Sequence, residues 1–260
     1  MRISVIGAGV MGEALIAALL KAGHSADHVE VIEKRQERAD ELVAKYSIKV
    51  GTDVGASDVV LLVTKPQDLE SVLSEINGKV KDGALIVSFA AGKKIATISN
   101  GLSGKCPVVR VMPNTPTLVG KGAAGFSLGS GVTEHQKKFV IDFLTAAGVA
   151  VEVDETLQDA VTATSGSGPA YFFAFVESMV KGAVDLGLSQ EVATQLTVQT
   201  IIGAAELLAT SGKSATTLRE NVTSPNGTTF AALQAFAAGD LNSLVAKAMK
   251  AARDRSIELS

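Results

Sequence analysis

The stretch Arg2-Ile3-Ser4-Val5-Ile6-Gly7-Ala8-Gly9-Val10-Met11-Gly12 decides how the rest of the chain is read. Residues 2–6 read as a short β-strand that runs straight into Gly-x-Gly-x-x-Gly. A helical pattern follows from about Met11 to Ala22. Strand, glycine turn and helix form the context in which that glycine spacing holds a dinucleotide. Gly7 would make the tight turn, Gly9 would let the backbone approach a pyrophosphate, and Gly12 would let the helix pack closely on the strand. The helix N-terminus would then meet the phosphates. Gly7, Ala8, Gly9, Val10, Met11 and Gly12 are therefore candidate cofactor-binding residues.

Outward from this motif, residues 29–32 read as a second strand and Arg35–Tyr46 as a second helix. Val59-Val60-Leu61-Leu62-Val63 shows no polar alternation, as expected of a central parallel strand buried on both faces. Residues 84–89 and 108–112 look similar, and 123–128 and 149–153 are weaker strands. Alternating strands and helices predict an α/β fold, a Rossmann-type parallel sheet with helices on both faces. From Glu155 onward the pattern is helical only: Tyr171–Leu186, Gln190–Leu208, Thr229–Ala238 and Leu241–Leu259, separated by Gly, Ser and Pro. The expected domains are 1–153, a dinucleotide-binding domain, and 154–260, an all-helical domain. Ile201, Ile202, Ala204, Ala205, Leu207 and Leu208 cover a wide arc of one helix, which suits burial against a second subunit.

Composition narrows the function. The 260 residues carry a net charge of −3 with a pI near 5.7, so nothing favours nucleic acid or an anionic membrane as partner. Cys106 is the only cysteine, which excludes an internal disulfide and a thiolate-rich metal site. No metal is expected. No uninterrupted apolar run approaches the length needed to span a bilayer, and the N-terminus lacks a signal-peptide core, so a cytoplasmic protein is expected.

A residue that reads the adenosine ribose should lie about 20 residues beyond the glycines, at the end of the second strand. Glu33 stands there. A carboxylate suits the ribose 2′-hydroxyl of NAD, whereas Lys34 and Arg35, directly after it, suit the 2′-phosphate of NADP. The reading is NAD(P), with NADPH favoured and NADH possible.

Four further motifs carry a resemblance: Thr64-Lys65-Pro66-Gln67-Asp68, Val109-Arg110-Val111-Met112-Pro113-Asn114-Thr115-Pro116, SGSGPAYFF at 165–173, and TSPNGTTFAAL at 223–233. With the glycine loop, their order and spacing resemble Δ1-pyrroline-5-carboxylate reductase, the last enzyme of proline synthesis, from residue 2 to about 255. Two positions depart from the family pattern. Val10 replaces the usual Asn, and Asn226-Gly227 replaces Gly-Gly after Pro225. Pro then Asn suits a type II turn, and Asn tolerates positive φ, so the turn is expected to survive.

The resemblance implies reduction of a cyclic imine bearing a carboxylate. Ser224, Asn226, Gly227, Thr228 and Thr229 open a helix whose free N–H groups can hold that carboxylate. Thr229 is implied to lie near the ring nitrogen and is the candidate catalytic residue. Ser167 and Gly168 are implied to line the substrate pocket. Lys65, Pro66 and Asn114 follow central strands and are implied near the nicotinamide. No histidine falls in any motif. A protonated imine accepts hydride without a protein acid at carbon, so placement and charge would carry the catalysis. The resemblance also implies a homodimer with interlocked helical domains and, beyond it, a ring of dimers.

Two other families of function compete for this sequence. The β-hydroxyacid and 6-phosphogluconate dehydrogenases share this first domain, but they need a lysine base where this chain reads Pro169-Ala170-Tyr171-Phe172-Phe173. A non-catalytic NADP(H)-sensing protein would have lost the substrate motif, and Ser224–Thr229 is nearly intact.

Overall fold

A computed structural model describes residues 1–259. Its elements in the first half are β1 (Ile3–Ile6), α1 (Val10–Lys21), β2 (Val29–Ile32), α2 (Gln36–Tyr46), β3 (Lys49–Val50), β4 (Val59–Leu62), α3 (Leu69–Ile76), β5 (Leu85–Ser88), α4 (Ile95–Gly101), β6 (Val108–Met112), β7 (Gly122–Leu128), α5 (Glu134–Thr145) and β8 (Gly148–Glu152). The strands form one sheet in the order β3-β2-β1-β4-β5-β6-β7-β8. Sequence order reverses at β1, which pairs with β2 on one side and β4 on the other. In an open α/β sheet the crevice outside the strand ends at such a reversal is where ligands bind.

Burial follows the period of the strands. Ile3, Val5, Val59, Leu61, Leu85 and Val87 face α1 and α5, where Leu15, Ile16, Leu19, Phe139 and Phe143 cover them. Ile6, Val60, Leu62 and Ile86 point the other way, beneath Leu69, Val72, Leu73 and Ile76 of α3. All four residues of β4 are buried, as its unalternating pattern requires.

The sheet is parallel, as expected, in every pairing but one. β7 runs antiparallel to β6, and β8 is parallel to β7. The connection from β6 to β7 contains only a short 3-10 turn, Thr115–Val119. A parallel return requires a crossover of a dozen or more residues, so the chain must double back instead. α5 then supplies the crossover that lays β8 parallel to β7. The short edge strand β3 lies outside the expected strands, because two residues carry no periodic signal.

Beyond β8 there are no strands among the described residues. The helices are α6 (Gln158–Val161), α7 (Gly168–Asp185), α8 (Gln190–Thr210), α9 (Ala215–Asn221), α10 (Thr228–Ala238) and α11 (Leu241–Glu258), with a π turn, Thr162–Gly166, between α6 and α7. The chain forms two compact units. One is Met1–Pro169 together with the chain from Ala251 onward; the other is Ala170–Lys250. The division expected after residue 153 thus lies ahead of the compact-unit boundary. α6 and the π turn pack on β7, and the last two turns of α11 return to the first unit.

The second unit leaves its apolar residues uncovered. In α8 only Ala193 and Thr197 are buried, while Leu196, Ile202 and Leu207 are each more than half exposed. The expectation that nothing could span a bilayer fails on length and composition, since α8 has 21 residues and is apolar enough. Thr197, Gln199 and Thr200 interrupt its apolar run without adding charge, which hid it from a search for unbroken runs.

Candidate active site

The three glycines of the first loop stand in different surroundings. Gly7 has φ +92°, and a Cβ there would come within 2.8 Å of the Val63 carbonyl oxygen. A Cβ on Gly12 would collide with the Gly7 carbonyl, so Gly12 sets the close approach of α1 to β1. Gly9 is different: a Cβ there would meet nothing within 4 Å. Its open side is the space through which a pyrophosphate can come against the backbone. Gly9 is also the N-cap of α1, and no side chain caps the helix. The first N–H groups of α1 are free for an anion. Val10 is 63% exposed, so the departure at this position changes no packing; Met11 packs against the core. These residues fit a dinucleotide.

The end of β2 brings side chains to the same loop. Ala8 N–H donates to Glu33 Oε2 at 3.0 Å, and Arg35 donates to Glu33 Oε1 from its backbone N–H (3.0 Å) and its Nε (3.2 Å). Burial works against ionisation of Glu33. The Arg35 donors and the Ala8 N–H outweigh it and hold the carboxyl below its ordinary range. Lys34 is exposed beside them. Arg38, on the first turn of α2, donates from Nε to the Ala8 carbonyl at 2.9 Å. It also pairs with Glu41 (2.9 Å) and Glu13. Glu13 accepts further from Lys45 (2.7 Å) and the Tyr46 hydroxyl (3.1 Å). Lys45 and then Arg38 hold its carboxyl down at about 2. Sequence reasoning missed Arg38 and Glu13. The only signal was their charge on otherwise ordinary helices.

At the tip of β4, Thr64 carries a hydroxyl oxygen that is shut off from solvent and has no hydrogen-bond partner. Lys65 is exposed and Pro66 half-buried at the start of a 3-10 turn. A cleft of about 470 Å³ is lined by Pro66, Lys93, Thr162 and Ser167 and, from the last turn of α11, Arg255 and Ser256. Pro66 and Ser167, expected near the nicotinamide and the substrate, therefore share one cleft. Gly168 follows as the first residue of α7 and has open space where a Cβ would stand. Asn114 is 8% exposed and its amide is committed within the protein: Nδ2 donates to the Ser165 carbonyl at 3.1 Å and Oδ1 accepts from Ala123 N–H at 2.9 Å. It ties the β6–β7 connection to the π turn, a positioning role rather than an open ligand contact. Nearby Arg110 is buried on β6 and reaches Glu155 at 3.4 Å; Asp159, 4.0 Å from Arg110, accepts the Ser256 hydroxyl at 2.7 Å.

In the second unit, Ser224–Gly227 closes a turn in which Gly227 N–H donates to the Ser224 carbonyl at 3.0 Å. Asn226 has φ +57°, the left-handed conformation a type II turn demands at that place. A Cβ on Gly227 would collide with the Ser224 hydroxyl. Gly227 is the N-cap of α10 and no side chain caps the helix, so its opening N–H groups at Thr228 and Thr229 are free to meet an anion. Thr229 is half-buried, and Ser224, Asn226 and Thr228 are exposed.

Comparison with known proteins gives a consistent set. Residues 155–259 match the family model described as pyrroline-5-carboxylate reductase dimerisation, and residues 2–92 match NADP oxidoreductase coenzyme F420-dependent. A pyrroline-5-carboxylate reductase from Corynebacterium melassecola is 40% identical over 264 aligned residues, covering 99% of this chain and 98% of the relative. The structure of a pyrroline-5-carboxylate reductase from Coxiella burnetii superposes with a TM-score of 0.94 at 33% identity, covering 100% of this chain and 98% of that one. The Plasmodium falciparum pyrroline carboxylate reductase with NADP bound gives 0.88 at 28% identity, covering 100% and 98%.

Proposed function

The chain belongs to the pyrroline-5-carboxylate reductase family, and from that premise we propose how its loops share the work of the reaction. The enzyme reduces the cyclic imine of 1-pyrroline-5-carboxylate to L-proline, the final step of proline biosynthesis. It uses NADPH, with NADH possible, and works as a homodimer.

The proposed cofactor residues are Gly7 to Gly12, Glu33, Lys34, Arg35, Lys65 and Pro66, with Asn114 shaping the loop beside them. Bound there, the reduced nicotinamide supplies the hydride. The open N–H groups at the start of α10, with Ser224, Asn226 and Thr228, would hold the substrate carboxylate at the positive helix end. Thr229 would meet the ring nitrogen and pass it a solvent proton. Ser167 and Gly168 would wall the pocket. The observation that carries this reading is the turn at Asn226, which leaves α10 uncapped at a position where a hydroxyl or carboxylate would ordinarily close the helix. No metal ligand set accompanies these residues, so turnover should survive a chelator.

The apolar residues of α7 and α8 that stand exposed in one chain are read as subunit interface rather than as a lipid-facing surface. Burying each large one contributes roughly 1.5–3 kcal/mol. The cytoplasm is the proposed compartment, and a ring of dimers the proposed larger assembly. Each site is proposed to combine one subunit's glycine loop with the partner's α10 turn.

Mixing tests this division. A Gly9→Asp subunit should not hold cofactor, and a Thr229→Ala subunit should lack the ring contact. Refolded together, they regain turnover of pyrroline-5-carboxylate if sites are shared, because one site in each mixed dimer carries neither lesion. No recovery would sink the shared site. No turnover by the unaltered enzyme would sink the residue assignment altogether.

A further inference from the structure

We propose that Arg38 is a positioning residue for the cofactor: it fixes the peptide between Ala8 and Gly9 so that the Gly9 N–H faces the pyrophosphate site before any ligand arrives. This rests on the reading of the glycine loop as the cofactor site.

Ala8 is fully buried, but it lies between Gly7 and Gly9, two residues without a Cβ. Peptide planes flanked by glycine rotate at little steric cost. An unrestrained loop would therefore present the Gly9 N–H in more than one direction. In a trans peptide the carbonyl oxygen of one residue and the N–H of the next point opposite ways. Whatever holds the Ala8 carbonyl thus also aims the Gly9 N–H. Arg38 Nε holds it, at 2.9 Å.

The guanidinium is itself anchored. Its Nη1 donates to Glu41 at 2.9 Å and its Nη2 to Glu13, so its planar fork is fixed at two corners while the third nitrogen meets the loop. Glu13 lies on α1, the helix the loop opens, and is held in turn by Lys45 and Tyr46. Burial and burdened acceptors make this more than a loose surface pair: Arg38 and Glu13 side chains are 21% and 18% exposed. On the other side of Ala8, Glu33 accepts its N–H. Both peptides that meet at Ala8 are thereby oriented in the free protein, and binding does not have to order them.

The test separates this role from a direct contact with the cofactor's 2′-phosphate. Full-length Arg38→Lys and Arg38→Met dimers are titrated with NADPH and with NADH, following nicotinamide fluorescence, and their melting is recorded without cofactor. Lysine keeps a cation for Glu13 but lacks the fork that reaches Glu13, Glu41 and Ala8 together. Both Kd values should rise by the same factor, about five- to twentyfold, as one peptide's ordering is transferred to the binding step. The cofactor KM should follow while kcat stays within about twofold. A loss confined to NADPH would overturn the proposal in favour of direct 2′-phosphate contact. Unchanged Kd values in the folded lysine variant would overturn it outright. Failure of the unaltered enzyme to bind either cofactor would instead remove the reading on which it rests. If the methionine variant does not fold, the lysine variant decides.

Discussion

One oxygen of the Glu33 carboxylate accepts the Ala8 N–H while the other holds Arg35 by both its backbone N–H and its Nε. The acid suited to a ribose hydroxyl and a cation suited to a 2′-phosphate are thus already paired with each other. A 2′-phosphate can draw Arg35 and Lys34 toward it, and a free 2′-hydroxyl can be met by Glu33. Lys34→Ala/Arg35→Ala should raise the KM for NADPH tenfold or more, from the loss of a charge-assisted contact worth about 1.5–3 kcal/mol. The KM for NADH should change less than about threefold. Equal changes in steady-state assays would show that these cations do not read the phosphate.

Asn226 at φ +57° is tolerated because Asn adopts this conformation more readily than most side chains. Asn226→Gly should keep the substrate KM and melting temperature near their original values. Asn226→Val, β-branched in a left-handed position, should cost roughly 1–3 kcal/mol and raise the KM for pyrroline-5-carboxylate. Melting curves and substrate titrations of the two variants check this, and equal behaviour would place the turn outside the site.

Glu13 provides a pH signature. Its carboxyl is lowered from 4.5 to about 2, chiefly by Lys45 and Arg38. A depressed acid stabilises the fold fully above its unfolded value and loses that contribution as pH falls through its folded value. Glu13→Gln should therefore be less stable than the parent by up to about 3 kcal/mol near neutrality. The difference should shrink between pH 4.5 and 2 and vanish below. Urea unfolding at a series of pH values measures it; a gap that stays constant would separate Glu13 from acid unfolding.

The orphaned Thr64 hydroxyl makes a prediction of the opposite sign. Thr64→Val keeps the shape and removes a buried oxygen without a partner. It should stabilise the cofactor-free enzyme by about 1 kcal/mol and raise its melting temperature by about 2–4 °C. A lowered melting temperature would mean that the hydroxyl is bonded in solution.

Much of this was legible in the sequence. The β-branched runs marked β1, β4 and β5, and the glycine spacing marked the turn between β1 and α1, where Gly7 and Gly12 have no room for a Cβ and Gly9 has open space. The positive φ of Asn226 followed from its place after Pro225. What escaped was contact between segments distant in the chain. Nothing local to Asn114 says that its amide is held by Ser165 and Ala123, and nothing local to Arg38 points to Ala8. The reversal of β7 was hidden in a loop length, since strand patterns are the same in either direction.

The return of the last two turns of α11 to the first unit changes what can be cut from this chain. Ser256 reaches back to Asp159, and Leu259 lies against Gly92, where its carbonyl leaves little room for a side chain. The gene therefore cannot be divided once, at residue 169, into two free-standing halves, because the first half would lack its closing piece. The second unit is the internal segment 170–250, entered and left through the first. A tag or truncation at the carboxyl end, usually chosen as harmless, would fall on the half that holds the glycine loop.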